Sequence, residues 1–317
     1  MGLPNSTTKP VGRRRCPHKV ILEPTKDIAL LKRVRDCRFI TSNQLFEYAK
    51  ASGIANSCGS FYWRIGRLVE CGLVQTVTLQ IGKYRIYTIT RQGLRELENR
   101  QECLLSLTSN ARVLTKRDEI PHALLLNDIR RTFEQQFPVK WWRTDLQVRA
   151  VNLAAQKYAK DYDAVFSVDR SDAGENSLTI AVEYERTLKA EDRYAEICNA
   201  LSGESSVNIL FYLCASADMI PLLAQRIRLK NLLLCFTVAR SLVHHGKECP
   251  VLIWTQQKLQ PIPMVDIGRH NQPLKVRSRF SDQCCCWNEP RMRPEYALKR
   301  LEWVAHKILR EGHLAAD

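Results

Sequence analysis

The chain has 317 residues, with 48 Lys+Arg against 33 Asp+Glu, a formal net charge of +15 and a pI near 9.4. Domains run to roughly 100–200 residues, so this length predicts two of them with tails; a hydrophobic fraction of 45% with 26% charged residues excludes a disordered, fibrous or membrane-embedded chain. The positive excess favours a polyanionic partner, nucleic acid first, because each phosphate neutralised releases a counterion.

Residues 1–25 read as a basic flexible tail. The opening MGLPNSTTKPVGRRRC has no apolar export segment, so the cysteines are expected as reduced thiols in a cytoplasmic protein. Gly2 and Ser6 fit the loose myristoylation pattern, with Pro4 an unusual neighbour. The most apolar stretch, NILFYLCASADMIPLLA, is broken by Asp218 and Pro221, so no membrane span is expected.

From residue 26 to 100 helix and strand signals alternate. DIALLKRVRDCRF carries Ile28, Leu31 and Val34 at helical spacing. In TSNQLFEYAKASG, Thr41 and Gln44 form a capping-box pattern and Gly53 supplies a stop. A third helix is predicted from about Ser57 to Glu70, turning Ile65, Leu68 and Val69 inward and presenting Ser60, Arg64 and Arg67, with Tyr62 and Trp63 near the boundary. Such a face can lie in a major groove. VQTVTLQ and YRIYTIT then alternate with period two about a turn made basic by Lys83 and Arg85. This order of elements resembles winged-helix DNA-binding domains. The same fold also docks proteins; cations on both the third helix and the turn favour DNA.

Residues 101–120 are polar and lack periodicity, and are expected to form a linker. PHALLLNDIRRTFEQQF restarts helical spacing. After it come the apolar runs KWWRTDLQVRAVNL, DYDAVFSV, LTIAVEYERT, VNILFYLCA, NLLLCFTV and CPVLIW, with the helical LKAEDRYAEICNALSG between the third and fourth. That pattern predicts a mixed sheet with helices on it, within 121–255.

Glu183 and Glu185, two apart on a strand, share a face, and Asp163 joins them if its strand is the neighbour. Three converging carboxylates repel one another unless a divalent cation intervenes, and Mg²⁺ or Mn²⁺ suits hard oxygen ligands and phosphodiester cleavage. The plainer alternative is a wet strand end with its acids paired to Arg186 or Arg193.

HALLLND, DYDAVF and IAVEYERT, with Tyr194 downstream and a winged helix upstream, resemble the replication-relaxation and MobC-type plasmid mobilization proteins over about residues 26–240. The resemblance implies an α/β (mixed α+β) chain: a winged helix followed by a restriction-endonuclease-like domain with a mixed central sheet. It implies duplex DNA at a plasmid origin as partner, other mobilization or replication proteins beside it, and metal-dependent nicking by a relaxase. Under it Asp163 and Glu183 match the acidic positions of the nuclease pattern, and Asp163, Glu183 and Glu185 hold Mg²⁺ or Mn²⁺. Glu185 stands where many such nucleases carry lysine and Tyr162 where many carry proline. Lys189 replaces that lysine if the chain turns back. His122 and Asn127 brace the site or touch phosphate, and Arg186, Arg193 and Lys189 are phosphate contacts or plain solvated charges. Tyr194 is a covalent nucleophile or an interfacial aromatic. The rivals are a non-catalytic DNA-binding regulator with a degenerate nuclease fold, and an RNA-binding adaptor.

Residues 256–317 read as a basic extension. QCCCWN, with its cysteines at 284–286, lacks a Cys-x-x-Cys pair, so unpaired thiols are expected rather than zinc. Leu298, Leu301, Val304 and Ile308 predict an amphipathic basic helix.

Overall fold

The computed structural model describes residues 21–77, 85–110, 119–169, 177–229, 231–255 and 258–264. The basic tail to residue 20, the turn residue Lys83, the cysteines at 284–286 and the amphipathic basic helix lie outside the described residues.

A single π turn, Pro24–Ile28, leads into α1 (Ala29–Cys37), and β1 (Ile40–Thr41), α2 (Ser42–Ala51), α3 (Cys58–Glu70), β2 (Val74–Val77), β3 (Ile86–Ile89) and α4 (Arg91–Asn99) follow. The expected capping box forms: Thr41 Oγ1 accepts from the Gln44 N–H and Gln44 Oε1 from the Thr41 N–H, both at 3.1 Å. Ser57 and Ser60 cap α3 in the same way. Gly53 and Gly72, at φ +66° and +68°, occupy the left-handed region just after α2 and α3, where a side chain would be strained. Leu30, Leu31, Val34, Leu45, Phe61, Ile65 and Leu68 meet in one core against a small antiparallel sheet of order β1-β3-β2.

The second unit runs α5 (Ile120–Gln136), β4 (Val139–Thr144), α6 (Asp145–Ala155), β5 (Ala164–Val168), β6 (Leu178–Glu185), α7 (Glu191–Leu201), β7 (Ile209–Cys214), α8 (Met219–Arg226), β8 (Leu233–Val238), α9 (Ala239–His245), β9 (Pro250–Thr255) and β10 (Lys258–Pro263). Its strands form one mixed sheet of order β10-β9-β8-β7-β6-β5-β4, in which β6, β7 and β8 are parallel and the remaining pairs antiparallel. Parallel neighbours need crossovers, and α7 and α8 supply them. Alternate residues sort to two faces. Ala181, Leu210, Tyr212 and Phe236 pack under α6, α7 and α8, while Ile180, Val182, Phe211 and Cys235 pack under α5 and α9. The chain is thus mixed α/β, as expected. Among the described residues no helix is long and apolar enough to cross a membrane.

Two local expectations need correction. KWWRTDLQVRAVNL is not one strand: β4 stops at Thr144, whose N–H donates to Gln147 Oε1 at 2.9 Å, and α6 begins there. The sheet also runs past residue 255, because β10 pairs along the whole of β9. Residues 101–110, which hold no helix or strand, are tied down by side-chain hydrogen bonds. Ser109 donates through both N–H and Oγ to Glu98, Ser106 Oγ donates to the Leu146 carbonyl and Arg35 to that of Glu102.

The two units share α5. Asn127 Nδ2 donates to the Phe39 carbonyl at 2.7 Å in a fully buried bond, and Gln44 Nε2 donates to the Leu124 carbonyl at 2.9 Å. Phe39 and Ile86 from one unit close on Ile120 and Ala123 of α5. Arg38, held at φ +57°, reaches Glu119 at 2.9 Å and Asp145 at 2.7 Å. Removing one partner of a buried hydrogen bond strands the other, at about 1–3 kcal/mol. Asn127→Ala is therefore expected to lower unfolding stability by about that amount in urea, whereas an unchanged midpoint would show that the junction does not rest on this bond.

Candidate functional site

On β6 the apolar alternation continues through Ala181 and then turns acidic, so Glu183 and Glu185 enter the α7 layer while Tyr184 faces α5. Asp163 directly precedes β5, and the pairing of Ala164 with Val182 sets it opposite Glu183. The three expected acids therefore gather at one end of neighbouring strands. Their partners differ. Asp163 Oδ2 accepts from the Tyr184 N–H at 2.8 Å, and its Oδ1 lies 3.3 Å from His122 Nε2 of α5, whose ring packs on Tyr184. Glu183 Oε2 lies 2.9 Å from Lys160 Nζ. Both oxygens of Glu185 are gripped by Lys189, because the chain turns back after β6.

Burial acts first on each of these groups. It pushes the Glu183 carboxyl up to about 7, aided by the Asp163 charge and opposed by Lys160. For Asp163, burial is outweighed by the hydrogen bond and charge of His122, so its carboxyl titrates lower than usual. For His122, burial is outweighed in the same way by Asp163, with Asp145 adding to the effect, and the imidazole is raised. Glu183 Oε1 and the hydroxyl of Tyr212, neighbours in the β6–β7 register, are both buried without a hydrogen-bond partner. Burial and the charges of Glu183 and Glu185 raise the Tyr212 hydroxyl.

Each of the three acids is engaged by a neighbouring basic group. Each glutamate is bound to an ammonium group, Asp163 is turned to His122, and among the described residues no group of three or more His, Cys, Asp or Glu side chains is arranged to hold a metal ion. A cavity of about 440 Å³ opens beside Asp163, lined by Arg38, His122, Asp145 and Arg186 among others, where α1, α5, α6 and β5 meet.

The remaining expected residues are dispersed. Asn127 ties the two units together, as described. Tyr194 is on the buried face of α7, its hydroxyl accepting from the Lys189 N–H at 3.1 Å. On α3, Ser60, Tyr62 and Trp63 are exposed. Arg64 is mostly buried and bonded to Asp27 and Glu23, Arg67 to Asp27 and the Ile21 carbonyl, with both guanidinium groups over the Trp63 ring. Arg85 is exposed where the chain enters β3. Sequence reasoning missed Lys160 and Tyr212. Lys160 stood three residues before Asp163 and could have been paired with the acids on charge alone; Tyr212 gave no signal, since only the β6–β7 register brings it beside Glu183. Among the described residues no cysteine is in a disulfide.

The profile of the replication-relaxation family matches residues 31–199, more than half of the chain and inclusive of both the α3 face and the acidic strand end. No curated protein and no solved structure matches it.

The His122–Asp163 pair gives a titration test. Folding raises His122 above its ordinary 6.5, so its share of stability is present at lower pH and lost as pH rises through the raised value. Folding lowers Asp163 below its ordinary 3.8, so its share is present above 3.8 and lost as pH falls through the lowered value. NMR titration is expected to place the His122 midpoint above 6.5, and Asp163→Asn to lower it, since burial then loses its largest opponent. A midpoint unmoved by that substitution would break the pairing.

Proposed function

Because the chain belongs to the replication-relaxation family, we propose that it is a duplex-DNA-binding protein of plasmid replication or mobilization whose N-terminal unit docks as a winged helix. The observation that carries this reading is the outward face of α3. Phe61, Ile65 and Leu68 lock the helix into its core, while Tyr62 and Trp63, 49% and 59% exposed, face outward beside the exposed cap residue Ser60. Large aromatics kept in water on a rigid helix mark a contact surface, and in a major groove they meet thymine methyl groups while the Tyr62 hydroxyl reaches base edges or phosphates. Arg85 and the excess positive charge of the chain supply the phosphate attraction.

Trp63→Ala is expected to weaken duplex binding on the order of tenfold, the equivalent of 1.4 kcal/mol, in fluorescence anisotropy at fixed salt, with the circular dichroism spectrum intact. Unaltered duplex affinity in that variant, or no preference for duplex DNA over RNA in the wild type, would remove this reading.

A second reading, nicking at the acidic strand end, is favoured by the gathering of Asp163, Glu183 and Glu185 with Lys160 and Lys189 at one sheet edge. In the rival without catalysis, the same acids and lysines simply neutralise one another. Supercoiled origin DNA incubated with Mn²⁺ separates the two: nicking that Asp163→Ala abolishes supports the enzyme, and unchanged binding with no nicking leaves a regulator.

A further inference from the structure

The segment entering the N-terminal unit lies across the inner side of α3. Leu22 is buried and anchors it, whereas Ile21 is 89% exposed. From this segment four acceptor atoms converge on two guanidinium groups. Arg64 lies 3.0 Å from Glu23 Oε2 and 3.1 Å from Asp27 Oδ1; Arg67 lies 3.4 Å from Asp27 Oδ2 and donates to the Ile21 carbonyl at 3.0 Å. Asp27 is itself 1% exposed and also accepts from the Glu23 N–H at 3.0 Å, which closes the π turn around it. The two side chains that give α3 its positive charge are therefore neutralised from within the chain.

We infer that residues 21–27 form an acidic strap that withholds Arg64 and Arg67 from a polyanion and so sets the affinity and salt dependence of the α3 surface. This inference rests on the DNA-binding reading and deepens it. A phosphate that approaches α3 competes with Glu23 and Asp27 for guanidinium groups already in place, and exchange of carboxylate for phosphate needs only that the strap loosen. Glu23 is the half of the strap that exchanges readily, being 40% exposed in its side chain. Asp27 is the buried half that keeps both arginines in register along the helix. The Trp63 ring, stacked 4.7 Å from the Arg67 guanidinium, stays in front of the strap and keeps its own exposure.

The test is a duplex-DNA titration between 50 and 200 mM salt with the full chain. One newly engaged phosphate steepens the slope of log K against log salt by about 0.9 and adds about a 3.5-fold loss of affinity across that range. Glu23→Gln is expected to tighten binding at 50 mM and steepen the slope by up to about that amount, and Asp27→Asn by more. The Glu23→Gln effect is expected to vanish in an Arg64→Gln background, which separates release of Arg64 from mere loss of a negative charge. Should Asp27→Asn fail to fold, Glu23→Gln still decides, since its side chain is exposed. Unchanged slopes in the folded variants, weaker binding on strap removal, or an equal gain in the Arg64→Gln background would each overturn the strap. Absence of duplex binding by the wild-type protein at any salt would instead overturn the DNA reading beneath it.

Discussion

Helix α5 has to serve two cores at once, and much of the molecule is arranged around that demand. Its Ile129 and Phe133 pack on the sheet beside Phe166 and Phe211, while Ile120 and Ala123 meet Phe39 and Ile86 of the N-terminal unit. A helix covered on two sides has few wet directions left, so its polar groups must find protein partners. Asn127 does so at the Phe39 carbonyl, the Leu124 carbonyl at Gln44, and His122 at Asp163. The same helix that closes the seam between the units therefore also holds one acid of the strand-end cluster.

The strand end itself is governed by the expense of burying charge. An ionised carboxylate taken out of water needs a partner or shifts its titration. Each acid takes a different course: Asp163 pairs with His122 and titrates low, Glu185 lies between its lysine and the sheet, and Glu183 keeps one oxygen without a partner and titrates high despite Lys160. Two carboxylates on one strand face, with a third across the ladder, could not all remain ionised and unaccompanied. The two ammonium groups are what makes the cluster tolerable in the protein alone, each taking up one glutamate.

Much of this was legible in the sequence, and the misses have physical reasons. The capping box at Thr41 and Gln44, the extent of α3, the mixed sheet and the shared face of Glu183 and Glu185 follow from local spacing. The helix α6 was hidden because Trp141 and Trp142 made the strand signal dominate, although Thr144 and Gln147 carried a helix start. Arg64 and Arg67 were legible as a face of α3, but periodicity says only that a face is not apolar. It cannot distinguish a face turned to water from one covered by Glu23 and Asp27, some 40 residues upstream. Lys189 reaches back to Glu185 because the chain turns after β6, and that turn follows from the need to start a crossover helix.

That crossover also explains why the charged groups collect where they do. In β6, β7 and β8 the chain runs the same way, so their carboxyl ends lie along one edge, and α7, α8 and α9 start from there. Ligand sites in open sheets with parallel strands lie at such edges, because diverging connections leave room for side chains and solvent. Glu185 is the last residue of β6, and Lys189 belongs to the connection that leaves it. Antiparallel β5 begins at this same edge, which brings Asp163 and, just before it, Lys160 to the place where β6 ends. A sheet antiparallel throughout would still have brought Asp163 opposite Glu183, but a tight hairpin after Glu185 would have left no segment free to carry a lysine back to it. Topology thus supplies the cations as well as the acids, and the cluster is a product of strand direction rather than of any one local motif.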